Sequence, residues 1–180
     1  PVADHGGDIE LSRVAMRLAA ESFEVSAIGL SRETGSGTFD IVPGGLDLIR
    51  VPKGRVDKAA VLAGSLAKRR SLVHVRFDTA PLRQAIEDAP APDVYVAEHS
   101  YMAESLLRTR RVDEAGFVVN TINTESQVWL STRGALGRIE APRLLRDEIR
   151  VAHRADAVGC YEIEEAQMYR DEGVPGARFM

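Results

Sequence analysis

Cysteine is almost missing from this sequence: Cys160 stands alone, so no internal disulfide can form and a reducing compartment is expected. Aromatic residues are also scarce, at 6%, which leaves the core to Leu, Ile, Val and Ala. Those residues suit buried parallel strands covered by Ala-rich helices. A basic excess is lacking too. The 23 Lys and Arg against 27 Asp and Glu give a formal net charge of -4, which argues against a nucleic-acid partner. No apolar run approaches the length of a membrane span, and nothing at the start reads as a signal peptide. A cytoplasmic protein is expected, with a peripheral membrane contact left open. The four histidines (His5, His74, His99 and His153) lack metal-ligand spacing, and no CxxC, HExxH or nucleophile-elbow pattern is present, so no metal or cofactor is expected.

What is there is ordinary globular material, 44% hydrophobic and 28% charged over 180 residues, enough for one domain. Short apolar runs alternate with longer amphipathic stretches. Strands are predicted at Glu24–Ser31, Leu48–Pro52, Leu72–Phe77, Asp93–Glu98, Gly116–Thr121, Asp156–Tyr161 and Ala177–Met180. Most are continuously apolar, as in a sheet buried on both faces. Helices are predicted at Gly7–Ser22, Asp57–Arg70, Thr79–Ala89, Ser100–Arg111, Arg138–Arg154 and Glu162–Glu172. Asp57, Thr79 and Ser100 stand as N-caps, Pro81 lies in a first turn, and Gly173 follows a C-terminus. Residues 33–45 read as a loop or loose hairpin. The alternation predicts an α/β fold, a Rossmann-like doubly wound parallel sheet. The Gly-rich turn near Pro1 precedes any strand, whereas in such a fold it follows the first one. The chain is therefore expected to be a piece of something longer, or to need another segment to complete its sheet.

Four stretches carry candidate chemistry. Asp4-His5-Gly6-Gly7-Asp8 precedes a helix, where paired glycines admit close backbone approach and free N–H groups attract phosphate. A plain tight turn would use the same residues. Glu98-His99-Ser100-Tyr101 lies where a strand gives way to a helix, the edge at which open parallel sheets bind ligands. His99 could donate to a ligand or exchange protons there, or simply pack over the strand end beside a capping Ser100. Asn120-Thr121-Ile122-Asn123-Thr124-Glu125-Ser126 follows the next strand and lines the same rim, although Asn123 or Thr124 could serve as a helix cap. Arg143, Arg146, Arg150 and Arg154 share one helix face. Such a stripe suits anionic lipid, but the interleaved Glu140, Asp147 and Glu148 favour a salt-bridged surface. Cys160, in an apolar strand, reads as a buried structural thiol.

Taken in order, "HGGDIELSRVAMRLA", "PDVYVAEHSYMAESLL", "VVNTINTES" and "RLLRDEIRVAHRADAVGCYEIEEAQMY" resemble the N-terminal domain of family-four retaining glycosyltransferases, also called group 1, over nearly the whole chain. The resemblance implies one half of a GT-B architecture: residues 1–180 as the acceptor-side domain, with a C-terminal donor-binding domain absent. It implies metal-free transfer of a hexose-type sugar from a UDP- or GDP-linked donor to a small-molecule or glycan acceptor, with the anomeric configuration retained and the half-enzyme inactive alone. Gly6 and Gly7 match the loop that reaches the donor phosphates. His99 takes a catalytic place, and Tyr101, Asn120, Asn123 and Glu125 line the acceptor cleft, with Tyr101 as a stacking surface for a sugar. One departure stands out. Family members commonly place a sugar-facing His after the strand that ends here in Thr121-Ile122-Asn123, and Ile122 cannot donate a hydrogen bond or carry a proton. That departure keeps a non-catalytic nucleotide- or glycan-binding module in view. A GT-B nucleotide-sugar epimerase is a further alternative.

Overall fold

The computed structural model describes residues 7–31, 36–39 and 45–180. Residue contacts divide the chain into two compact units, residues 1–54 and 55–180.

In the first unit, helix α1 (Gly7–Ala20) is followed by strands β1 (Ser26–Ser31), β2 (Gly37–Phe39) and β3 (Leu46–Pro52). β1 lies parallel to β3, and β2 pairs antiparallel with it, in the order β1-β3-β2. The β2–β3 pairing places part of the loose hairpin read from residues 33–45; residues 33–35 and 40–44 lie outside the described residues. Thr38 donates to Asp47 across this pairing at 2.7 Å, and Leu46 and Val51 are buried.

The second unit carries α2 (Lys58–Lys68), α3 (Leu72–Phe77), α4 (Ala80–Asp88), β4 (Val94–Glu98), α5 (Ala103–Leu106), β5 (Gly116–Asn120), α6 (Glu125–Thr132), α7 (Gly134–Ala152), β6 (Ala157–Cys160), α8 (Ile163–Asp171) and β7 (Ala177–Phe179). Its four strands are all parallel, in the order β4-β5-β6-β7. The α/β class with a Rossmann-like parallel sheet holds. Phe117, Val119, Val158 and Cys160 from the sheet are buried, as are Leu144, Val151, Ala166 and Tyr169 from α7 and α8. Each large apolar side chain buried this way contributes about 1.5–3 kcal/mol. Val94 and Val96 on β4 remain exposed, so this strand is not covered on both sides.

The predicted caps form at three helix ends. Asp57 accepts from the N–H groups of Ala59 and Ala60 at the start of α2, Thr79 accepts from Leu82 in α4, and Gly173 takes a left-handed conformation after α8. The predicted strand at Leu72–Phe77 is instead helix α3. Ser71 caps it, and two carboxylates of α7 accept the leading N–H groups: Asp147 from Ser71 at 2.6 Å and Glu140 from Leu72 at 2.9 Å. These partners satisfy donors that a helix start leaves unpaired. The predicted helix Ser100–Arg111 shrinks to a 3-10 turn at Ser100–Met102 and the single turn of α5. Thr109 Oγ1 donates to the Leu106 carbonyl at 2.7 Å, and Ser105 Oγ to Phe77 O at 3.0 Å, side-chain bonds that compete with helix continuation. Helix α6 starts where Asn123 or Thr124 was read as a helix cap, although no helix range was predicted there.

The arginines of α7 engage carbonyls and carboxylates within the second unit. Arg143 donates to Ser65 Oγ and to Arg70 O, both at 2.7 Å, and pairs with Glu140. Arg146 donates to Arg69 O, so both arginines serve carbonyls at the C-terminus of α2. Arg150 pairs with Glu104 and Asp147. Glu148, expected to pair with arginine, turns the other way and accepts the Ser126 N–H at the start of α6 at 3.3 Å.

Candidate functional site

Three adjacent parallel strands of the second unit end together. In register, Glu98 on β4 lies beside Asn120 on β5, which lies beside Gly159 on β6. The C-terminal ends of parallel strands are where such sheets bind ligands. Here that edge carries both backbone strain and unsatisfied polar atoms.

The strain sits at His99, the first residue beyond β4, and at Ile122, the second beyond β5. His99 has φ 67° and ψ 146°, bordering a region that glycine alone occupies freely. Ile122 has φ 54°, rare for a β-branched residue. A tight turn forces it, because Asn123 N–H donates to Thr121 O at 2.5 Å across Ile122. Neighbouring bonds hold both residues in place. His99 N–H donates to Asn120 O at 2.7 Å, and Thr121 donates twice to Gly159 O, at 3.0 Å from its N–H and 3.1 Å from its hydroxyl. Each such residue costs about 1–3 kcal/mol, and such strain clusters at binding and catalytic sites.

The polar atoms point the same way. The Asn120 amide nitrogen donates to both carboxylate oxygens of Glu98, at 3.1 and 3.2 Å, and to the Tyr161 hydroxyl at 3.3 Å. Those bonds orient the amide, so its assignment is fixed by the network. Its oxygen is buried and has no partner among the described residues. The same is true of Asn123 Oδ1 and His99 Nδ1. Buried polar atoms are normally satisfied, so unsatisfied ones mark a strain reservoir, a water or a ligand. Two amide oxygens accept, and His99 Nδ1 can either accept or donate.

Tyr101 positions His99. Their rings stack with centroids 4.9 Å apart and 13° between planes, and Tyr101 also packs on Phe77 at 4.6 Å. The surface expected to stack on a sugar is thus taken up by two aromatic neighbours. Beneath lies His74, fully buried, its Nδ1 at 2.8 Å from Ser71 Oγ and its Nε2 at 3.3 Å from Ser100 Oγ. Burial pushes the His74 pKa down to about 3, with Arg150 and Arg70 adding to the effect and Asp147 opposing it, so the ring is neutral. This Ser71–His74–Ser100 chain ties α3 to the turn that carries His99. Sequence reasoning missed His74 and Tyr161, and named Glu98 in its candidate stretch without giving it a role. Tyr161 could have been found, since it ends the predicted strand Asp156–Tyr161 and directly follows the observed β6.

The other expected site residues are placed differently. Glu125 opens α6, and its carboxylate accepts from Trp129 within the same helix at 3.0 Å. Thr124 donates to Glu165 on α8 at 2.8 Å instead of capping α6 with its side chain. Gly7 begins α1 in the first unit, and Gly6 lies outside the described residues. Cys160 is fully buried, and burial pushes its thiol pKa up to about 12, which leaves it inert as a nucleophile. Among the described residues, no group of three or more His, Cys, Asp or Glu could hold a metal ion, and no helix is long and apolar enough to cross a membrane.

No protein-family model matches the chain, and no curated protein matches it.

Proposed function

We propose that this chain is the acceptor-side domain of a cytoplasmic, nucleotide-sugar-dependent retaining glycosyltransferase. The observation that carries the reading is that His99 Nδ1, Asn120 Oδ1 and Asn123 Oδ1, at the ends of two adjacent parallel strands, are all buried and unpartnered among the described residues, beside two strained turns. Two amide oxygens and an imidazole suit a ligand rich in hydroxyl groups, which donates and accepts at every carbon. The order of the sequence motifs supplies the sugar-transfer chemistry. On this reading, Asn120 and Asn123 hold the acceptor, and His99 meets the reacting sugar. Tyr101 acts by holding the His99 ring rather than by touching substrate.

Ile122 favours a second reading. It is buried and offers no proton where the resembled family commonly places a histidine, which suits a binding module without turnover.

The test uses the protein as the cell makes it, incubated with UDP- and GDP-hexoses and a panel of small-molecule and glycan acceptors. Glycoside formed with retained configuration, and a rate falling by about 10²-fold or more in His99→Ala at unchanged thermal stability, is expected. An undiminished rate in that variant removes His99 from the chemistry. Saturable binding without turnover favours the module.

A further inference from the structure

A second recess lies in the same unit, with His74 in its lining. It is a cleft of about 520 Å³ formed by α2, α3, α5 and α7, within the size range of small-molecule sites. Its walls include Lys68, Arg70, Arg108, Arg150 and Arg154 against only two carboxylates, Asp78 and Glu104. Arg154, one residue beyond the cap of α7, pairs with Asp113 just ahead of β5, which puts this end of the cleft toward the opposite edge of the sheet from His99.

The ion pairs here are shared. Asp78 serves Lys68 at 2.8 Å, Arg108 at 3.3 Å and Arg83. Asp147, behind the cleft, serves Arg70 at 3.2 Å and Arg150 at 3.4 Å, and Arg150 also meets Glu104. With Arg146 at 4.0 Å from Asp147, six cations are thus held by three carboxylates. Burial raises the Glu104 pKa, with Arg150 and Arg70 opposing the shift. His74 lines the cleft as a neutral ring and adds no compensating charge. Three arginines, two of them a quarter to a third exposed, converge with an ammonium group on one recess. Each guanidinium has five N–H donors, more than the shared carboxylates use.

We infer that this cleft binds a multiply charged phosphoryl anion, with Lys68, Arg70, Arg108 and Arg150 as its cationic contacts. Planar guanidinium forks match phosphoryl oxygens in charge and geometry. A net excess of cations held near one another is costly without an anion, so an anion of two or more charges relieves it. The inference does not depend on glycosyl transfer.

The test titrates the full chain with inorganic pyrophosphate at constant ionic strength, following the melting temperature and calorimetric heat. The comparison variant is Lys68→Gln with Arg108→Gln. Both side chains are about half exposed and Asp78 keeps Arg83, so the fold should survive. Lys58→Gln with Arg138→Gln removes the same charge from exposed positions elsewhere in the unit. Saturable binding, weakened at least about tenfold in the cleft variant and unchanged in the control, is expected. Sedimentation with vesicles of phosphatidic acid in phosphatidylcholine, whose phosphomonoester can carry two charges, separates the sources. Vesicle uptake lost in the cleft variant assigns a lipid headgroup, whereas pyrophosphate binding without uptake assigns a free ligand. No saturable pyrophosphate binding, or equal binding by both variants, overturns the inference.

Discussion

His99 and Ile122 pay a conformational cost that their side chains do not need. At an ordinary site, replacing Gly by Ala stabilises a chain by reducing the freedom of its unfolded state. Where φ is positive the order reverses, because a Cβ is strained there. His99→Gly is therefore expected to be more stable than His99→Ala by about 1 kcal/mol or more, and Ile122→Gly more stable than Ile122→Ala by a similar margin. Chemical denaturation of the four variants checks this, and equal or reversed stabilities would mean that the turns are relaxed. At this scale, the sequence located His99, Asn120 and Asn123 because residues just past parallel strands are legible from hydrophobic runs alone. Their unsatisfied state was not legible. It depends on Glu98 and Tyr161, which occupy both N–H groups of Asn120 from strands 22 and 41 residues away. Tyr101 was read as open to ligand because nothing local shows that Phe77, from another helix, packs on its ring.

The elements were legible where their signals are local. Asp57, Thr79 and Gly173 mark helix ends within one turn of the chain, and they hold. Helix α3 was read as a strand because Val73, Val75 and Phe77 alternate with His74 and Arg76, the period of a strand, and the acids that open it as a helix come from α7. Helix α6 escaped because Val128, Trp129 and Leu130 are consecutive instead of spaced along one face. Its junction with α7 has two further features. A Cβ on Gly137 would fall 2.0 Å from Trp129 O, so only glycine fits there. The Glu148 carboxylate is buried against the start of α6, and burial raises its pKa from 4.5 to about 7 despite bonds from Ser126 and Glu125. Below pH 4.5, folded and unfolded chains both hold this proton. As pH rises from 4.5 to about 7, the unfolded chain loses it first, so the group's contribution to stability falls across that window and stays low above it. Between pH 4.5 and 8, the stability of Glu148→Gln should gain on the wild type by on the order of 2–3 kcal/mol. Parallel unfolding curves at each pH measure this, and a constant difference would mean that Glu148 titrates normally.

Across the whole molecule, charge is spent on internal joints. Arginines of α7 close the end of α2, and acids of α7 open α3, so one helix organises much of the second unit. Among the described residues, polar groups outnumber their partners at the strand ends around His99 and in the basic cleft bounded by α2 and α7, and Tyr95 and Glu148 each keep one buried unpartnered oxygen. The strand ends carry the functional reading, and the His99 ring reports on them directly. Nitrogen-15 NMR of the imidazole in the full chain, titrated with UDP- and GDP-hexoses and with candidate acceptors, tests the claim most directly. The account predicts a saturable shift of the His99 Nδ1 resonance with at least one of them, weakened about tenfold or more in Asn120→Ala. A ring that stays unmoved by every donor and acceptor, while the fold remains intact, would contradict it.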